Sequence, residues 1–315
     1  MTDYLGMWYR ARARHGIDDT IHFAVIEPAT GRRHEFPVRH RDHDGIGGLF
    51  HLLRGWRVPL PPMPVSRQAA PPPFWHWLRA LPGRREATPP APPWRAFPAS
   101  DEPATVASAC LSRAHTFALR QRARDQSLSL NAVLLTALHQ AVTDTLLRAP
   151  VAGRWLYPVN MRGAVRGERD DQNLSSGFYV TARPEDGPVD LDRRVRDGLR
   201  AQRHWRFWHG ARVGRWVGQG GVNWLCDRFL AGSPKLGSFT CLGEWRLDLA
   251  AAGFPPDALL TLCGPGSPNH PVSNGAMIVN DRLTLSLKLD PSLGAGADTT
   301  RACLAAWRDR LERSA

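Results

Sequence analysis

The stretch RHRDHDGIGG, residues 39–48, stands where one periodicity ends and another begins. Before it, RRHEFPVRH (32–40) alternates. A period of two puts His34, Phe36, Val38 and His40 on one face and turns Arg33, Glu35 and Arg39 to the other. Pro37 has no N–H to give a ladder, so this strand lies at an edge or near its own end. After Gly45, residues Ile46, Leu49, Phe50 and Leu53 fall at i, i+3, i+4 and i+7, and Gly55 offers a stop. The stretch is therefore a strand-to-helix turn, with His40 on the apolar side.

His40-Arg41-Asp42-His43-Asp44-Gly45 fits the pattern HxxxDG. With 12 His, 21 Asp and 28 Gly in 315 residues, about 0.07 such matches arise by chance, so the pattern alone is suggestive and its setting adds weight. A histidine facing a pocket can take a proton from an alcohol or amine near neutral pH, since its ordinary pKa is about 6.5. Asp44, beyond the turn, suits pairing with an arginine, and Gly45 permits close approach of the backbone. A turn whose His and Asp merely satisfy backbone groups is the plainer alternative.

Outward from the turn, TIHFAVIE (20–27) reads as a strand closed by the turn PATG. Residues 57–103 are dense in proline (VPLPPMPV, APPPFWHWL, TPPAPPW). They read as a crossover plastered onto a surface by Phe74, Trp75, Trp77 and Trp94. A helix spans about 129–148, with an apolar stripe from Leu130 to Val142. GRWLYPVNM and LSSGFYVTA are strands around the charged loop RGAVRGERDDQ, and 189–206 reads as helical. DALLTLC, NGAMIVN and RLTLSLKL are strands, the last two joined at Asn280–Asp281, and a helix covers about 299–313. The mixture defines an α/β (mixed α+β) fold.

Composition narrows the function. Only Lys235 and Lys288 are lysines, so the net charge of +12 is carried by arginine, scattered along the chain. Scattered charge argues against a nucleic-acid tract and equally suits an anionic cosubstrate such as a nucleotide-bearing thioester. The five cysteines, with no CxxC pair, argue against a disulfide framework or a zinc module. His40, His43 and Asp44 lack a distant third ligand at credible spacing, so no metal is expected. No apolar run reaches the roughly 18–20 residues of a membrane span, and MTDYLGMWYRARARHG has no signal-peptide core. The expectation is a cytoplasmic protein. Trp205, Trp208, Trp216 and Trp224 are read as packing rather than as a pocket lining.

HxxxDG at a strand-to-helix turn resembles the CoA-dependent acyltransferase superfamily: chloramphenicol acetyltransferase, the plant-type BAHD enzymes, wax ester synthases and peptide-synthetase condensation domains. Further pieces agree in order. SLSLNAVLLTALHQAV resembles the family's Thr-x-Asn-Asp-Val helix, with Asn131 at the asparagine. LYPVNMRG resembles its Pro-Val-Asn-x-Arg strand, with Asn160 and Arg162. DDQNLSS stands at the Gly-Asn position with Asn173, and SFTCLGEW at the Ser-Asn-Leu-Gly segment with Leu242 and Gly243. The resemblance implies a chloramphenicol-acetyltransferase-like two-lobe sandwich. Residues 1–56 would be a truncated N-terminal lobe carrying the motif, 57–103 the crossover linker and 104–315 the C-terminal lobe.

It further implies that His40 is the general base in acyl transfer from a CoA or carrier-protein thioester to a hydroxyl or amine, without an acyl-enzyme or covalently bound cofactor. Asp44 would pair with Arg162, while Gly45, Asn160 and Asn173 support the loop. Ser238, Thr240 or a backbone N–H near Gly45 are the oxyanion candidates. Arg39 replaces a frequent first histidine. Only 39 residues precede the motif, so a partner chain or second copy completes one wall of the tunnel, or the site is open, or the fold has lost catalysis. The rival readings are an inactive binding protein and a basic nucleic-acid-binding protein.

Overall fold

The computed structural model describes residues 3–66, 72, 89–98, 105–232 and 234–314. Phe74, Trp75 and Trp77 lie outside these, while Trp94 is half-buried against the larger core. Antiparallel strands β1 (Thr20–Ile26) and β2 (Arg33–Arg39) pair with Phe23 opposite Phe36. β2 is the edge of a three-stranded sheet with β1 at its centre, where Pro37 omits a donor at little cost. The third strand, β8 (Leu259–Cys263), comes from far along the chain. Helix α2 (Gly45–Gly55) starts at the motif, capped by the Asp44 carboxylate on Gly47 N at 2.8 Å.

The larger sheet has seven strands: β3 (Ala107–Cys110), β10 (Arg282–Leu289), β9 (Val272–Val279), β6 (Gly237–Ser238), β4 (Gly153–Asn160) and β5 (Ser175–Ala182) in that order, with β7 (Cys241–Trp245) also on β9. β9 is buried on both faces, which its small and apolar sequence VSNGAMIV allows. Leu283, Leu285, Leu287 and Leu289 of β10 face helices α4 (Leu130–Leu146) and α8 (Ala297–Arg313), which cover this side of the sheet. Met277 and Val279 of β9 face the small sheet and α2. Ser286 and Thr284 hydroxyls donate to the Leu262 and Leu260 carbonyls, tying the sheets together. The approach is so close that a Cβ at Gly275 would collide with the Leu262 carbonyl. The β9–β10 turn uses Asn280 and Asp281, both at positive φ as a type I′ hairpin requires.

The helical reading of 189–206 is corrected: the chain breaks at Gln202, whose φ is 52°. The pieces are α5 (Pro188–Arg200) and α6 (His204–Arg212). Two further helices had no counterpart in the sequence reading beside α3 (Arg113–Asp125). They are α1 (Tyr4–Ala13) and α7 (Gly214–Leu230), the latter interrupted at Gly218. α1 packs on α6 and α7: Trp8 Nε1 donates to the Ala211 carbonyl at 2.8 Å, Gln219 Nε2 to the Met7 carbonyl at 2.9 Å, and Ala11 meets Val222 and Cys226. Trp205 is core, whereas Trp216 and Trp224 are exposed. Among the described residues no helix is long and apolar enough to cross a membrane.

Candidate active site

Beyond β2 the chain turns, and His40 is anchored at both its backbone groups. Its N–H donates to the Asp19 carbonyl at 2.7 Å, and its carbonyl accepts from Asn173 Nδ2 at 2.7 Å. Nδ1 lies 2.9 Å from the His43 carbonyl, an acceptor only, so Nδ1 carries the proton and Nε2 keeps its lone pair. Burial holds this imidazole below its ordinary pKa, with the His43 carbonyl and the Asp44 charge pulling the other way. A neutral ring is the form that can accept a proton.

Asp44 does not touch His40's ring nitrogens in this arrangement; it builds the loop. Oδ1 caps α2, while Oδ2 accepts from Arg162 Nη1 and from Leu174 N, each at 2.7 Å. Both side chains are about 95% buried. Arg162 spends its other donors on the Asp170 and Gln172 carbonyls, each at 2.8 Å, and on Asn160 Oδ1 at 3.3 Å. The 162–172 loop thereby wraps a single guanidinium, as a buried charge requires. Asn160 also donates to the Pro64 carbonyl at 2.9 Å, attaching the start of the crossover to β4. Asn173 accepts from Ser175 N and Oγ through Oδ1, which fixes Nδ2 toward His40. At Gly45 a Cβ would sit 2.8 Å from Leu242, the close approach its position allows.

His40, Asp44, Gly45, Asn160, Arg162, Asn173, Ser238 and Thr240 all line one cavity of about 430 Å³ between the motif turn and strands β4–β6. Thr240 is held by its backbone N–H, which donates to Asn274 Oδ1 at 3.2 Å. Trp208, read from sequence as packing, is buried and also lines the cavity.

The remaining wall comes from α1. Leu5, Trp8, Tyr9 and Arg12 line the cavity, and the Tyr9 ring lies 6.1 Å from that of His40. Tyr9 Oη accepts from Asn173 Nδ2 at 3.4 Å, so its own proton is free to point elsewhere, and burial keeps that proton on the oxygen. Sequence reasoning missed these residues. Their spacing, 5, 8, 9 and 12, is that of one helical face and is the signal that finds them.

The fold also supplies the third ligand-type group that the sequence spacing lacked. Asp171 lies beside His43 and His51, their candidate ligand atoms within 4.8 Å of one another. Its carboxylate is engaged by Arg54 at 3.2 Å and Arg169 at 3.0 Å, and its carbonyl shares a 2.7 Å hydrogen bond with His43 Nδ1. The cluster braces the motif turn against α2 and the 162–172 loop.

No protein-family model and no curated protein matches the sequence. Among solved structures, the epimerization domain from the third module of tyrocidine synthetase B superposes with a TM-score of 0.50 at 15% identity, over 98% of this chain and 75% of that one. Polyketide synthase associated protein 5 from Mycobacterium tuberculosis gives 0.50 at 18% identity over 92% and 75%. A nonribosomal-peptide-synthetase cyclization-docking bidomain from Sorangium cellulosum gives 0.54 at 14% identity over 90% and 60%. The chain has the fold of condensation and epimerization domains.

Proposed function

We propose that the protein transfers an acyl group from a thioester, on CoA or a carrier protein, to a hydroxyl or amine. One observation carries the reading: a neutral His40, its Nδ1 proton held by the His43 carbonyl, lies on the wall of a cavity of about 430 Å³. Nε2 takes the proton of the acceptor as its oxygen or nitrogen attacks the thioester carbon. The tetrahedral intermediate collapses, the carbon–sulfur bond breaks, and His40 returns the proton to the departing thiolate. No acyl-enzyme forms. Asp44 and Arg162 act through the loop, holding His40 in place without touching the reacting atoms. Ser238 and Thr240 are the donors in this reading for the developing oxyanion.

The test follows thiol release and acylated product. The donors are acyl-CoAs from acetyl to palmitoyl and the same groups on pantetheine; the acceptors are a panel of primary alcohols and amines. Wild type should form product and release one thiol per product, and His40→Ala should lose at least about 100-fold. Equal rates in the two proteins, including equal absence of turnover across the panel, overturn the reading in favour of a non-catalytic binding protein.

A further inference from the structure

Three side chains with full charges line the cavity: Asp44, Arg162 and Arg12. The first two neutralise each other. Arg12 has no carboxylate within ion-pair distance among the described residues, and its Nε is buried with no hydrogen-bond partner. Its guanidinium lies only over the Tyr9 ring, 5.9 Å from the centroid. An arginine left without an acceptor in a partly desolvated cavity is costly unless a ligand supplies one. Beside it, the Tyr9 hydroxyl accepts from Asn173 and keeps its proton free to donate. A cation and a neutral donor are thus neighbours on the cavity wall that His40 also lines.

We propose that Arg12 and Tyr9 form a subsite for an anionic group, a carboxylate or phosphate, on one of the two reactants. The proposal rests on the acyl-transfer reading for its context but not for its test. An anion there would accept from guanidinium N–H groups and the phenol together, anchoring its carrier with the reactive end near His40.

The experiment compares wild type, Arg12→Met and Arg12→Lys by calorimetric titration. One ligand pair is 3-phenylpropanoate against 3-phenylpropanol. The other is acetyl-CoA against S-acetylpantetheine, which lacks the nucleotide phosphates. Wild type should prefer the anionic member of at least one pair. Arg12→Met should weaken that member alone by about 10- to 100-fold, with Lys restoring part of the loss. Which pair responds identifies the anion's carrier. Equal loss for both members of a pair, a preference that survives in Arg12→Met, or no anion preference in wild type overturns the subsite. The outcome is read from binding, so it stands apart from whether His40→Ala abolishes turnover. A circular-dichroism melt guards against misfolding; the Trp8 and Gln219 anchors of α1 do not involve the Arg12 side chain.

Discussion

Replacing Asp44 by alanine removes three things at once. The carboxylate caps α2 through Gly47 N, accepts from Leu174 N, and neutralises Arg162 at a site where both partners are about 95% buried. Loss of the cap costs about 1 kcal/mol. Removing one member of a buried ion pair costs about 3–5 kcal/mol, because the surviving charge has no counter-ion. The third loss, an acceptor for Leu174, falls within that range. The sum, about 4–6 kcal/mol, is a large share of the roughly 5–15 kcal/mol that holds a typical domain. Asp44→Asn keeps the size and a cap acceptor, so it should cost less. Arg162→Met combined with Asp44→Ala should cost less than the two single changes added, with a coupling of about 2–3 kcal/mol. Urea denaturation measures wild type and all four variants: the midpoint moves while the slope stays constant. An Asp44→Ala loss below about 1 kcal/mol, or strict additivity in the double variant, would refute a buried charge pair as the clamp on this loop.

Other expectations follow from single features. Gly275→Ala should cost about 1–3 kcal/mol, since the added methyl meets the Leu262 carbonyl and forces the two sheets apart; an unchanged melting temperature contradicts that packing. His139 and His204 are buried and held neutral down to about pH 4, and His270 down to about 3. Their folded pKa values are depressed below the unfolded 6.5, so the unfolded chain binds more protons and stability falls as pH drops below about 6.5. His270→Phe should flatten that slope by about one proton; an unaltered slope between pH 6 and 4 contradicts it. Catalysis should have its acidic limb below the ordinary imidazole value, because burial depresses His40; a limb above pH 7 argues against His40 as the base.

The sequence was most legible where local and tertiary demands agree. The alternation ending at His40, Pro37 on an edge, and the stripe after Gly45 each reflect one face of one element, and the sheet and α2 follow them. The Asp44–Arg162 pair, separated by 118 residues, came only through resemblance to a family, since no local rule joins those positions. The cavity wall from α1 was missed because its arginines, spaced through YLGMWYRARA, dilute the apolar stripe, and the helix gains its stability from α6 and α7. The break between α5 and α6 was invisible because it rests on a left-handed Gln202, with no glycine or proline to mark it. Asp171 could not be assigned beside His43 and His51 from spacing, since a fold contact across 128 residues creates that cluster.

The most direct measurement concerns His40 Nε2 itself. His40→Gly should stay folded, at a modest cost in stability for the lost hydrogen bond to the His43 carbonyl, and lose about 100- to 10,000-fold in acyl-transfer rate, and added imidazole should restore part of it by occupying the vacated space and taking the acceptor's proton. A His40→Gly protein that transfers acyl groups at the wild-type rate would contradict the central claim outright.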